Sequence, residues 1–538
     1  MKRRDHLKLT FAWSAAGAFP WALQAENAAT IDDRFPSLAA AALGRATQLG
    51  ASYADFRIVQ MDHEGLYARE EMVQGIDASA SLGVSVRVLC NGAWGFAAAG
   101  TVDERTAIRL AGDAVAMARA QAAWQKVPVE IETLPAYQDR WEMPHRVDPF
   151  ALGVEEKTGG LLDVNRAALR AGANYCSAGL HLVRERKWLA NTFGSRLAQS
   201  RLRVHPTFNV TVLDEKKGGF ASRASLAPPR GAGYEYVQEA GMIEDAARAV
   251  AQAKEKLVAP SVTPGRMDLV IAPSNLWLTI HETVGHPTEL DRALGFEANF
   301  AGTSFCTPDK LGKLQYADER VTIRADRTQR DGLATVAYDD DGVKTAGKEF
   351  DIIGKGRFEN YQMALGQARL IGRTASNGCA YADSSSSFPI QRMPNISLQP
   401  GPDDAVTAES LIAEVENGLY VVGNGSWSID QQRYNFQFTG QVFQRIRHGR
   451  LAGMVKDVAY QGNSVDFWNA CDGLGGAASY ELGGAFNCGK GQPQQVAPVS
   501  HGAVPARFRG INVLNTNQEA GRPVAALDRS CCSNRQWI

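Results

Sequence analysis

The chain has 538 residues, with 57 Lys and Arg against 58 Asp and Glu and a formal net charge of -1. That length makes two or three domains the natural expectation, and the balanced charge supplies no overall field to recruit nucleic acid or an anionic membrane. Hydrophobic content of 45% is ordinary for a soluble globular protein, and beyond the N-terminus no apolar run approaches the roughly 20 residues of a membrane span.

The chain opens on a basic head, residues 1–8, with Arg3 and Arg4 paired. An apolar run over 9–23 and a short small-residue segment follow. That order is the order of a signal peptide, and the arginine pair near Leu7 resembles the twin-arginine type. Residues 1–29 are therefore expected to be a leader, cut after Ala25 or Ala28, and the protein to be exported to the periplasm. A cytoplasmic location is the alternative. Eight cysteines form no CxxC pair and no regular spacing, so neither a zinc ribbon nor a disulfide framework is expected.

Residues 30–258 read as an α+β domain. Alternation predicts strands at 55–59, 83–89 and 94–96. Thr101 with Glu104 forms a capping-box signature for a helix running toward Trp124. A break over 128–149 precedes a helical central part from about 146 to 258, interrupted by strand-like runs at 181–183 and 207–212. Its helices are expected near 153–174 and 237–257. His63, His145, His181 and His205 stand apart in sequence and read as structural, so no chemistry is expected in this half. Two prolines and a glycine within 259–265 mark a linker.

A β-rich C-terminal domain is expected over 265–515, giving an α+β fold overall; 516–538 form a tail of no assigned structure. A strand at 267–272 leads the domain. Another, at 335–338, ends in Asp339-Asp340-Asp341-Gly342, which reads as a hairpin turn because the spacing of an EF-hand is absent. A helix is expected over 407–418, and a hairpin turn at His448-Gly449. Ser384 to Ser387 read as a polar loop, since no Gly-x-Ser-x-Gly elbow surrounds them.

The chemistry concentrates in His281-Glu282-Thr283-Val284-Gly285-His286. Only 9 histidines occur in the chain, and two of them here flank a carboxylate. Two imidazoles and a third ligand suit a Zn²⁺ that keeps an open position for water, with Glu282 placed to take that water's proton. The spacing is unusual. Zinc-protease helices set their histidines four apart, whereas five positions on a regular α-helix rotate by about 140° and point the rings apart. Gly285 and Pro287 offer a remedy, because both favour leaving the helix at this point. The helix is expected to open near Gly285. For the third ligand, Glu289, Asp291, Glu297, Cys306, Cys488 and His501 all remain open on spacing alone.

The His281-Glu282-x-x-x-His286 run, with Gly302-Thr303-Ser304-Phe305 after it, resembles the TldD branch of the TldD/PmbA zinc metallopeptidase family. So do the late segment from Asn487-Cys488-Gly489-Lys490 to Pro493, the acidic turn at Asp339, Arg392-Met393-Pro394-Asn395 and Asn417-Gly418-Leu419-Tyr420. Ala54-Asp55 and Gly83-Val84-Ser85-Val86-Arg87 extend the similarity over about 40–515. The resemblance implies zinc held by His281, His286 and Cys488, with Glu282 as general base. It implies hydrolysis of unfolded polypeptides or short peptides, bound in extended form. A dimer with a PmbA/TldE-like subunit, or with a second copy, is also implied. The leader and Pro287 depart from the family pattern. The rival expectations are a non-catalytic or chaperone-like subunit with a structural metal, and a zinc amidase acting on non-peptide substrates.

Overall fold

The computed structural model describes residues 21–216 and 218–517. Residues 1–20 of the expected leader lie outside them, as do 518–538 of the tail, including Cys531 and Cys532. Helix α1 (Trp21–Gln48) begins within the leader's final part. No helix among the described residues is long and apolar enough to cross a membrane.

Two long hairpins build the first sheet. One pairs β1 (Tyr53–Arg69) with β2 (Met72–Cys90), the other β5 (Tyr175–Asn191) with β6 (Arg196–Asp214), and β1 joins them by pairing with β5. The short strands β3 (Ala93–Ala99), β4 (Gln138–Glu142) and β7 (Gly219–Ala224) complete it. Side chains alternate between faces along a strand, and here each face has its own partner. Phe56, Ile58, Val86 and Trp188 pack against α1 and α2 (Glu104–Ala122). Leu66, Leu180, Val204 and Phe208 pack against α3 (Val154–Arg170) and α4 (Met242–Val258). Helix α2 is capped by Asp103, whose side chain accepts from the Thr106 N–H, rather than by Thr101.

The opposite face carries buried charge. Asp55 pairs with Arg57 at 2.8 Å and with Arg87 at 2.7 Å. Glu185 accepts from Arg201 at 2.8 Å and from the Tyr381 hydroxyl at 2.8 Å. The C-terminal domain completes this network through the acidic turn. Asp339 accepts the N–H groups of Asp341 and Val343 and so shapes the turn. Asp340 takes Lys187 Nζ at 2.6 Å, and Asp341 pairs with Arg87 at 2.7 Å. The triplet is thus a latch between domains. It does not close a strand hairpin, because 335–338 is not a strand and only an isolated bridge links Tyr338 to Lys344. Replacing Asp55 with Ala leaves Arg57 buried with no ion-pair partner among the described residues. The expected cost is about 3–5 kcal/mol, the penalty for breaking a buried pair, measured as a lower urea midpoint.

The second domain is built on a closed ring of strands. β8 (Gly265–Ile271) pairs in parallel with β9 (Asn417–Ile429), which pairs with β10 (Asn435–Arg447). β10 then pairs with β11 (Val458–Asn463), and β14 (Ala506–Asn515) closes the ring between β11 and β8. The expected helix at 407–418 is only Ala408–Ala413, because Asn417 and Gly418 already belong to β9. Gly418 lies so close to the Asp268 carbonyl that a Cβ there would collide with it. The His448-Gly449 turn is present, with φ values of 47° and 72°. A separate hairpin, β12 (Glu481–Lys490) and β13 (Gln495–Ala503), lies between β11 and β14 in the chain. Helix α5 (Pro273–Ile280) leaves β8 and sends Leu276 and Ile280 into the domain core.

Candidate metal centre

After α5 the chain does not open. It underwinds into one π-helical turn, His281–Gly285, and then a 3-10 turn, His286–Thr288. The His286 N–H bonds to the His281 carbonyl, so residues five apart come to lie over one another, as the i→i+5 pattern requires. The two imidazole centroids stand 4.6 Å apart. This is how the spacing works, and Gly285 plays a different part from the expected one. Its backbone stays helical, with φ of -56°. It is small because a Cβ there would meet the Met393 sulfur at 2.8 Å. Side chains satisfy the carbonyls of the turn: Tyr316 donates to Thr283, Thr288 to Val284 and Gln362 to Gly285.

Cys488 arrives from β12 through a bulge. The register shifts between Ala485 and Cys488, where Phe486 and Asn487 together oppose one residue of β13. Such a bulge re-aims the side chain that follows, and here it brings Cys488 Sγ to 3.7 Å from His286 Nε2. Ligand atoms of His281, His286 and Cys488 all lie within 4.8 Å of one another, and all three residues are buried. A tetrahedral metal with bonds of about 2.0–2.3 Å separates its ligands by about 3.3–3.8 Å, and the 3.7 Å between Cys488 Sγ and His286 Nε2 fits such a centre.

Partners behind the rings fix their orientation. His501 Nδ1 lies 3.0 Å from the Ile396 carbonyl, which can only accept, so His501 carries its proton there. Its Nε2 then accepts from His281 Nδ1 at 2.7 Å, leaving His281 Nε2 with a free lone pair. His286 Nδ1 donates to Glu289 at 3.1 Å, which frees its Nε2 in the same way. Burial opposes ionisation of the Glu289 carboxyl, yet Lys490 and Arg292 outweigh it and hold the group well below the usual range. Burial also lowers the pKa of His281 and of His286, keeping both neutral. At Cys488 burial disfavours the thiolate, but His286 and Arg392 more than offset it and lower the pKa. The directions of these shifts, against imidazolium and toward thiolate, are the ones that metal binding needs.

The other residues considered for third ligand are occupied elsewhere. Glu289 and His501 stand behind the histidines, and Asp291 pairs with Lys490 at 2.7 Å. Glu297 accepts the Gly491 N–H at 3.1 Å, and Cys306 is a fully buried thiol whose pKa burial raises. Glu282, beside His281, is buried at 5% exposure and accepts from Arg433 at 2.8 Å.

The centre opens into a cleft of about 580 Å³. Trp277, Arg433 and residues 481–489 form one side; His205 and residues 225–229 of the first domain form the other. His205 is thus not an isolated structural histidine. It faces His181 across β5 and β6, packs on Phe486 at 5.6 Å, and burial lowers its pKa to about 4. Neither Arg433 nor His205 was visible as a site residue in the sequence, because no local motif surrounds either. Ser384 to Ser387 form the expected polar turn, bonded among themselves and to Asp383.

Two imidazoles and a thiol, with the buried Glu282 carboxyl group adjacent, make a donor set that could hold a metal. Residues 264–513 match the PmbA/TldA metallopeptidase C-terminal domain, 147–258 the central domain and 54–118 domain 1. The chain belongs to the PmbA/TldD metallopeptidase family. It is 27% identical over 465 residues to a protein named metalloprotease from Methanothermobacter thermautotrophicus, covering 86% of this chain and 96% of that one. It is 23% identical over 474 residues to a zinc metalloprotease TldD homolog from Saccharolobus solfataricus, covering 84% and 95%. The fold resembles the crystal structure of TldE from Thermococcus kodakarensis, with a TM-score of 0.67 at 14% identity, covering 88% of this chain and 98% of that one.

Proposed function

We propose that the chain is the metal-bearing, TldD type of subunit, a zinc-dependent peptidase acting on unfolded polypeptides or short peptides. The observation that carries this reading is the buried His281, His286 and Cys488 cluster with Glu282 beside it in an open cleft. Among the described residues the cluster has three ligands, which favours a catalytic over a closed structural site. Zinc bound there supplies Lewis acidity and lowers the pKa of its water to about 7. Glu282 accepts a proton in the cleft and returns it to the leaving amine.

Peptides are favoured over other amides by the cleft wall. Among the described residues β12 pairs only with β13, and residues 481–489 along it line the cleft. A free strand edge accepts an extended chain by main-chain hydrogen bonds. His205 and Leu226 across the cleft would cover such a chain from the first domain. Pairing with a TldE-like subunit or a second copy rests on the family resemblance, and export rests on the basic-then-apolar order of residues 1–29.

Treating the protein with a strong chelator is expected to abolish cleavage of an unfolded peptide library, and stoichiometric zinc to restore it. Mass spectrometry of the peptides checks this; cleavage that survives complete metal removal would overturn the reading.

A further inference from the structure

Among the described residues the buried Glu282 carboxyl group pairs with one cation, Arg433. Arg433 Nη1 donates to Oε2 at 2.8 Å, while Oε1 accepts no hydrogen bond from the described residues. Arg433 comes from the loop between β9 and β10 and holds φ of 64°, a conformation unfavourable for a long L side chain. Separate elements fix that backbone. Asp430 accepts the N–H groups of Tyr434 and Asn435 at 2.8 and 3.0 Å. The N–H groups of Thr303 and Phe305 donate to the Gln431 and Gln432 carbonyls at 2.9 and 3.0 Å. Ser464 Oγ donates to the Arg433 carbonyl at 2.8 Å. Gly302, at φ of 87°, lets this loop approach, since a Cβ there would collide with the Gln431 carbonyl. The Gly302-Thr303-Ser304-Phe305 motif is thus a cradle for the arginine loop.

Main-chain bonds already hold the loop, so the guanidinium is not needed to hold it. Among the described residues its buried Nε has no hydrogen-bond partner, and its second amino group reaches only the Ala301 carbonyl, at 3.3 Å. We propose that Arg433 is a positioning residue for Glu282: it engages Oε2, fixes the carboxylate rotamer and leaves Oε1 as the oxygen that works in the cleft. The inference rests on the metallopeptidase reading for the step it serves. Fixing a reacting group in this way acts on turnover more than on substrate affinity.

The test uses the full chain loaded with zinc. Arg433→Gly keeps the loop unstrained, because glycine takes positive φ freely. It is expected to lower kcat on a quenched fluorescent peptide by about 10–100-fold, with KM and zinc content little changed. Methylguanidinium added to this variant is expected to restore part of kcat, and Arg433→Lys to be intermediate. A kcat equal to wild type overturns the inference, as does a loss of kcat matched by loss of zinc. A thermal-unfolding cycle gives a readout independent of activity. The Tm losses of Glu282→Ala and Arg433→Gly, each of which removes the contact, should fall short of additivity in the double variant; strict additivity also overturns the pairing. If the zinc-loaded wild type cleaves no peptide, the peptidase reading fails, and the unfolding cycle still decides the inference.

Discussion

Glu282→Gln is expected to lower kcat/KM for peptide cleavage by about 10²–10⁴-fold, the usual contribution of a general acid–base group, with metal content unchanged. The substitution is nearly isosteric, and the amide oxygen can still accept from Arg433, as Oε2 does at 2.8 Å in the native protein. What is lost is the capacity to take up a proton in the cleft. The metal ligands contribute none of their bonds to Glu282: His281 is held by His501 and His286 by Glu289. Activity and metal content should therefore separate. Cleavage of a fluorogenic peptide together with metal analysis of the same sample checks this. Near-native activity would remove Glu282 from the role of base.

The second large effect concerns Cys488. Cys488→Ala removes one of the three ligands in the cluster, and zinc affinity is expected to fall by more than the roughly 10–100-fold that follows loss of a partner behind a ligand. Glu289→Gln supplies that comparison, because Glu289 touches His286 and not the position between the ligands. Competition with a chromophoric chelator measures both. Equal affinity in Cys488→Ala and the wild type would return the third position to another residue. The two variants also separate ligation from support, since Cys488→Ala leaves the Glu289 carboxylate in place behind His286, held ionised by Lys490 and Arg292.

Several elements were legible because their local signals agreed with tertiary context. The strand at 267–272 and the glycine-containing turn at 448–449 stand close to where the pattern places them. The first domain's strands run well beyond the stretches expected at 55–59, 83–89, 181–183 and 207–212, and on an alternating pattern Arg57, Arg87, Lys187 and Arg201 mimic solvent-facing positions. They are instead buried against the second domain. At the centre, the histidine pair and Glu282 announce themselves, but the π turn does not, and the need for glycine at 285 is visible only when Met393 is seen against it. Glu289 and Asp291 could not be told from ligands by spacing, because the groups that engage them are distant in sequence. Lys490, two residues beyond Cys488 on the same strand, meets both. The Cys488-Gly489-Lys490 segment therefore brings a ligand and the counter-charge for the ligand's support together. Arg433 and His205 reach the cleft through loop and domain geometry that no short window of sequence encodes.

The strand ring joins the two ends of its own domain, with β8 at 265–271 lying against β14 at 506–515. During synthesis, the segment bearing His281 and His286 must therefore wait for some two hundred further residues before Cys488 exists to meet it. Contacts of such long range form slowly, since the loop must close before any pairing rewards it. The centre is consequently among the last things the chain can make. A truncated or half-folded molecule has histidines but no complete set of ligands, so competence to hold the metal reports that the whole second domain has folded.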